Sequence, residues 1–386
     1  MKKIVLPLIA LFVSALSFSQ QTIIKNYESQ DLQDVRNLKV HIPSGYANDT
    51  TLNYPLTIVL GDNYLFDLSV GNAKLFAKAD IAPKQIIVGI DMDKSYDKDI
   101  SLIKANSELT QHSKNFYGFI KEELIPYIEN NYRTSPFLTI IAEGKAVNFS
   151  THFFKEADPL FNAYICLNPS FAPDINKQID AYSLARYGQM DNSFYFFTNS
   201  NQFFPKNQEM LYETLKTQLK DLNLKNLSLQ FNDNKKAANK LTTITNGISA
   251  AFPQIFEAYS GISKEEFNDK VKDLAPLDAI GYLENKYLDI EYLFGTNIGI
   301  RKKDIFAIEG IVIDKENGDY LKIFGEMIQK LYPKSHLGDY YIGKYFEKGK
   351  DNKKALFHYK IAYGKMNPAD PNIDLFYKNI ERVSGL

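Results

Sequence analysis

The sequence predicts an α/β fold, a parallel or mixed sheet flanked by helices, followed by a smaller all-α domain. Three observations predict it. Short continuous apolar runs are bounded by Pro, Gly or Asp, as suits central strands buried on both faces. Amphipathic stretches with helical spacing lie between those runs. After Ser260 the β-branched runs thin out and helical patterns dominate. The 386 residues suit two domains, expected at 20–260 and 261–386 behind a targeting segment at 1–19.

The elements follow in order. Met1-Lys2-Lys3 is a short positive start, Ile4 to Leu16 an apolar run, and Ser17 and Ser19 are small residues at −3 and −1 before Gln20. At about 13 residues the run falls short of the ~20 needed to span a bilayer, so an exported chain is expected, bound for periplasm, outer surface or medium. A buried helix of the mature fold is the competing reading. Leu38–Ile42 alternates and ends at Pro43, as an edge strand would. Leu56–Leu60 and Gln85–Ile90 read as central strands. Phe116, Phe119, Ile120, Leu124, Ile125 and Ile128 share one face of a helix. Further strands are expected at Leu138–Ala142, Ala163–Asn168, Ser193–Thr198 and Leu227–Asn232, and a helix at Asn207–Leu222. In the tail, helices are expected at Lys264–Leu274, Leu277–Tyr287, Tyr320–Leu331 and Lys353–Gly364. Pro333 and Pro368, 35 residues apart, close the last two.

Composition narrows the function. With 45 basic and 46 acidic residues the net charge is −1, so no nucleic-acid binding is expected. No His, Asp, Glu or Cys cluster has ligand spacing and no glycine loop is built for phosphate, so neither metal nor cofactor is expected. Cys166 is the only cysteine, which excludes an internal disulfide.

Three segments carry a resemblance to esterases of the esterase D and enterochelin-esterase type, a branch of the α/β-hydrolases. Asn53–Asp62 resembles that family's third strand and the loop supplying part of the oxyanion hole. Glu122–Thr134 (EELIPYIENNYRT) resembles its helix leading into the nucleophile strand, and Tyr164–Ser170 the strand that follows. The repeat period and terminal prolines of the tail resemble tetratricopeptide-repeat (TPR) units, which also accompany secreted members of the family.

The resemblance implies a nucleophile elbow, Gly-x-Ser-x-Gly, whose strained turn lifts a serine hydroxyl above the sheet. Here the segment reads Ala142-Glu143-Gly144-Lys145-Ala146, with Gly144 at the apex and no hydroxyl to attack. The general base should be a histidine after the last strand. None of the five histidines lies between His152 and His336, and the loop expected from Asn234 to Asn246 offers Lys240, Thr242, Thr243 and Thr245 instead. The acid should follow the strand at Ser193–Thr198, where Asn199-Ser200-Asn201 stands, and asparagine carries no charge to steady an imidazolium. Ser150, on the helix after the turn, would point away from it, and Ser170 has no neighbouring base.

The expected function is an exported, esterase-like pseudoenzyme that acts by binding, with no catalytic residues. Asp62, Asn63, Glu143, Lys145, Phe203 and Phe204 are the candidate lining of a small-molecule pocket in the vestigial cleft, and the helical tail is the candidate surface for a protein partner. The alternative is a carboxylic-ester hydrolase of non-standard mechanism, with Glu143 or Lys145 promoting water attack.

Overall fold

A computed structural model of the chain describes residues 21–179, 184–201 and 204–385. The targeting segment expected at 1–19 and Phe203 lie outside the described residues. The strands are β1 (Gln21–Ser29), β2 (Asp34–Ile42), β3 (Tyr54–Leu60), β4 (Ile86–Ile90), β5 (Thr134–Glu143), β6 (Ala163–Leu167), β7 (Phe194–Asn201) and β8 (Leu227–Asn234). They form one eight-stranded sheet in the order β1-β2-β4-β3-β5-β6-β7-β8. β1, β2 and β4 pair antiparallel, and all pairs from β4 to β8 are parallel.

The apolar runs became the sheet centre for the expected reason: every residue of β3 and of β4 is buried. One expectation is corrected. The strand that ends at Ile42 is not an edge, because β1 pairs with it on its outer side. Pro43 ends this strand without marking an edge. β1 itself, Gln21-Thr22-Ile23-Ile24-Lys25-Asn26-Tyr27-Glu28-Ser29, is mostly polar and exposed, so it carries too little apolar alternation to be read as a strand.

The helices on the sheet are α1 (Asn63–Lys78), α2 (Tyr96–Asp99), α3 (Gln111–Gly118), α4 (Ile125–Asn131), α5 (Ala146–Ser150), α6 (Ile175–Gln178), α7 (Lys206–Asp221) and α8 (Lys240–Ile255). A π-helical stretch, Phe119–Leu124, joins α3 to α4, and all six apolar residues expected on that helix face are buried. Alternation along the strands divides the core in two. Ile140 and Phe196 face a cluster with Phe116, Phe119 and Phe149. Ile141 and Phe197, one residue on, face a second cluster that includes Phe66 of α1 and Phe252 of α8.

The second cluster continues into the tail. Its helices are α9 (Lys264–Glu266), α10 (Pro276–Phe294), α11 (Lys302–Asp314), α12 (Leu321–Leu331), α13 (Leu337–Lys348), α14 (Asn352–Lys365) and α15 (Ile373–Ser384). Leu283 and Phe294 of α10, Ile305 of α11 and Phe324 of α12 belong to the same apolar body as Ile141 and Ile165 of the sheet. The Phe294 ring sits 5.2 Å from those of Phe137 and Phe256. α10 then stops at Gly295, whose φ of +61° is left-handed, and a Cβ there would lie 2.4 Å from Pro136 Cδ. Close packing also joins the later helices: a Cβ on Gly325 of α12 would meet the Gly338 carbonyl at 2.7 Å. No helix among the described residues is long and apolar enough to cross a membrane.

This shared core generates a stability prediction. Phe294→Ala removes a fully buried ring from the seam between sheet and tail, and should cost about 3–5 kcal/mol in urea unfolding. Sheet and tail should still unfold in one transition. Two resolved transitions in the parent protein would show that the tail keeps a core of its own.

Candidate active site

β5 ends at Glu143, the chain reverses at Gly144, and α5 starts at Ala146. Gly144 has φ +57°, the left-handed region that a strand-to-helix elbow requires. A Cβ built on it would find nothing within 4 Å. The apex therefore faces open space with only hydrogen on it. The flanking Ala142 and Ala146 are buried in the core beneath the turn.

Hydrogen bonds pin the turn from several sides. The Gly144 N–H donates to the Leu167 carbonyl at 3.0 Å, and the Ser170 N–H donates to the Gly144 carbonyl at 3.0 Å. The Asn148 amide donates to the Ser170 carbonyl at 2.7 Å and accepts from the Ala172 N–H at 2.7 Å. Tyr96 of α2 reaches into the turn. Its hydroxyl donates to the Glu143 carbonyl at 3.2 Å and accepts the Ala146 N–H, one of the unpaired donors at the start of α5. Burial pushes this hydroxyl up to about 12.

The Glu143 side chain does not pair with Lys145. It accepts a hydrogen bond from the Tyr64 hydroxyl, in the first turn of α1. Its carboxyl lies above the usual carboxylate range, chiefly through burial. The Asp62 carboxylate adds to that rise, while the Tyr64 bond and the Lys240 ammonium oppose it. Lys145 turns outward to Asp97 at 3.4 Å, an exposed pair worth about 0–1 kcal/mol. Asn63 donates to Asp93 at 3.1 Å. Phe204 packs its ring on Tyr212 of α7 at 5.9 Å. The turn thus gathers Glu143 and Asp62 with Tyr64, Tyr96 and Lys240, of which sequence reasoning named the first two for this cleft.

The positions expected for acid and base are committed to structure. Asn199 lies inside β7 and is fully buried. Its carbonyl oxygen accepts from the Asn168 N–H at 2.7 Å, and its amide donates to the Thr243 carbonyl at 2.8 Å. A carboxylate could supply the first bond but not the second. The loop expected from Asn234 to Asn246 ends early: Asn239 caps α8 by accepting from the Thr242 N–H, so Lys240, Thr242, Thr243 and Thr245 stand on the helix. Thr243 Oγ1 donates back to the Asn239 carbonyl.

None of the five histidines stands at the turn; His41 lies on β2. His112 meets Asp99 at 2.8 Å, and that buried carboxylate is clamped by Arg36 at 2.8 and 2.9 Å and by Ser95 at 2.6 Å. With Arg36 on β2 and His112 on α3, Asp99 ties α2 to both elements, and so steadies Tyr96. His152 is buried, and burial pushes it down to about 4. His336 packs edge-on against Phe376, and His358 stacks on Phe346. Ser150 donates to the Val147 carbonyl, away from the turn as expected, and Ser170 is exposed. Among the described residues no three His, Cys, Asp or Glu side chains gather as metal ligands would.

The sequence matches no protein-family model and no curated protein. Solved structures do match. An uncharacterised protein from Capnocytophaga ochracea superposes with a TM-score of 0.81 at 23% identity, covering 95% of this chain and 100% of that one. An IroE-like serine hydrolase from Shewanella oneidensis gives 0.58 at 18% identity, over 80% of this chain and 99% of that one. The BES protein from Bacillus cereus gives 0.52 at 18% identity, over 60% and 94%. Likeness at these identities speaks for architecture alone, and the chain has an α/β-hydrolase fold.

Proposed function

We propose that this chain is an esterase-like scaffold that performs no serine hydrolysis and acts by binding. One observation carries the reading: the elbow keeps its left-handed turn, yet its apex is Gly144, facing open space without a side chain. Acyl transfer needs a hydroxyl there, an imidazole to take its proton and a carboxylate to steady the imidazole. None of the three stands in its place. The cleft mouth keeps a partly buried carboxylate, two tyrosine hydroxyls and a lysine, a set suited to holding a polar small molecule. The Met1–Ser19 pattern supports export, and the tail, whose helices α12 and α14 each end shortly before a proline, Pro333 and Pro368, supports a TPR-like surface for a protein partner.

A second reading rests on Glu143. A carboxyl raised by burial beside Tyr64 could serve as a base toward water. One oxygen of that carboxylate accepts the Tyr64 hydroxyl, and the other is left for a water. Glu143→Gln decides between the two, since this mechanism requires that variant to lose activity by orders of magnitude.

Purified protein should hydrolyse p-nitrophenyl acetate and butyrate no faster than buffer, and a serine-directed fluorophosphonate should leave it unlabelled. Gly144→Ser should remain inactive, because no imidazole is available to activate the new hydroxyl. Turnover by the parent chain that the phosphonate abolishes would overturn the proposal. Asn199→Asp should bring no activity and lose about 2–5 kcal/mol, because a buried carboxylate would face the Thr243 carbonyl. Unchanged stability in urea would show that this amide is not the bracket described above.

A further inference from the structure

A cavity of about 510 Å³ opens at the end of the sheet opposite the elbow. Its walls are His41 and Pro43 at the end of β2, the second half of α1, and Lys84 with Gln85 entering β4. The strand directions fix its place: β4, β3 and β5 run parallel, so the start of β4 lies far from the end of β5. His41 pairs with Ile87, which faces α1, so the cavity lies between the sheet and that helix.

We propose that this cavity binds a small organic anion, a carboxylate or a phosphate monoester, with its oxyanion held by Lys74, Lys78 and the Gln85 amide and its apolar body against Leu75 and Pro43. Three lysines line the space and no carboxylate does. That is not inherited from a basic chain, whose net charge is −1. Lys74 and Lys78 stand four residues apart on one helix face, where like charges repel and a shared anion reverses the sign. Lys84 is tethered, donating to the Ser44 carbonyl at 2.7 Å across the rim.

Gln85 supplies an independent sign of a ligand. It is 2% exposed, and its carbonyl oxygen accepts from the Thr57 hydroxyl at 2.7 Å. Its amide nitrogen has no partner, and a buried donor left unpaired is destabilising. Gln85 is part of the cavity wall, and an oxyanion that reaches this nitrogen from the cavity would be the acceptor it lacks. His41 adds a reporter. It is 3% exposed, and burial together with the Lys74 ammonium pushes its pKa down to about 4. Lys78 and Lys84 line the same space, and Lys39, two residues back on β2, extends over the Phe66 ring. Among the described residues, the charges around the imidazole are therefore positive. An anion among them favours the imidazolium, so binding must raise the His41 pKa. This site shares no residue with the elbow, so either proposal survives the failure of the other.

The test is calorimetric titration of the full chain at pH 7 and constant ionic strength with phenyl phosphate, benzoate and inorganic phosphate. At least one organic probe should bind with one-to-one saturation, and the tighter of the two identifies the head group. Lys74→Gln/Lys78→Gln, at exposed positions, should weaken binding at least about tenfold. In histidine-labelled protein the bound probe should raise the His41 pKa by about half a unit or more. His152, equally buried and also near 4, should not move. No binding below about 10 mM, equal binding by the lysine variant, or both histidines shifting together would overturn the proposal. Inorganic phosphate binding as tightly as phenyl phosphate would remove the apolar half of it.

Discussion

A parallel sheet has no face that tolerates water, because alternate residues of each strand are apolar on both sides. In this chain Ile140 and Phe196 need cover on one side, and Ile141 and Phe197 on the other. The first side is closed by the helix from Gln111 to Asn131 and by the Phe149–Phe154 segment. The second is closed by α1 and α8 only in part, and the tail completes it. Phe294 lies between Phe137 of β5 and Phe256 after α8, joining the middle of the sheet to tail helix α10. The tail is thus a structural wall of the sheet as well as a surface. Its outer helices, α14 and α15, carry a small apolar cluster of their own around Tyr359 and Ile380.

The same rigidity explains how the elbow keeps its shape. A turn of this kind is held by what lies around it. Leu167 and Ser170 grip the Gly144 backbone, Asn148 ties the following helix to the next loop, and Tyr96 bridges both ends of the turn. Behind Tyr96 stands the Arg36–Asp99–His112 network, a buried ion pair whose role is positional. On the far side Asn199 couples the Asn168 loop to the first turn of α8. At this position the chain has a neutral amide bonded at both ends.

What was legible in the sequence divides along physical lines. Fully buried strands announce themselves as unbroken apolar runs, so β3 and β4 could be read directly, and the 3.6-residue spacing from Phe116 to Ile128 placed its helix. β1 could not be read, because an exposed edge strand needs few apolar residues. The absence of a hydroxyl at residue 144 was plain, being a matter of identity at one position. The partners of Glu143 were not. Tyr64 and Tyr96 lie 79 and 47 residues from it, and no periodicity connects residues joined only by a hydrogen bond. Lys145, two residues from Glu143, leaves the turn outward to Asp97 while Glu143 folds under it. The expected loop before α8 failed for a local reason: Asn239 is an effective helix cap, and it starts the helix early.

Glycine at the apex also alters the energetics of the turn. A residue with a Cβ in the left-handed region bears a strain of about 1–2 kcal/mol, which an enzyme tolerates because the strain aims its nucleophile. With Gly144 that strain is gone, while the surrounding hydrogen bonds remain. The turn is therefore relaxed and tightly held together, the reverse of an element decaying for want of use. What the retained geometry still presents to solvent is Glu143, Tyr64, Asp62 and Lys240 at a mouth of mixed charge. Shape and polarity persist there around an apex that carries no side chain.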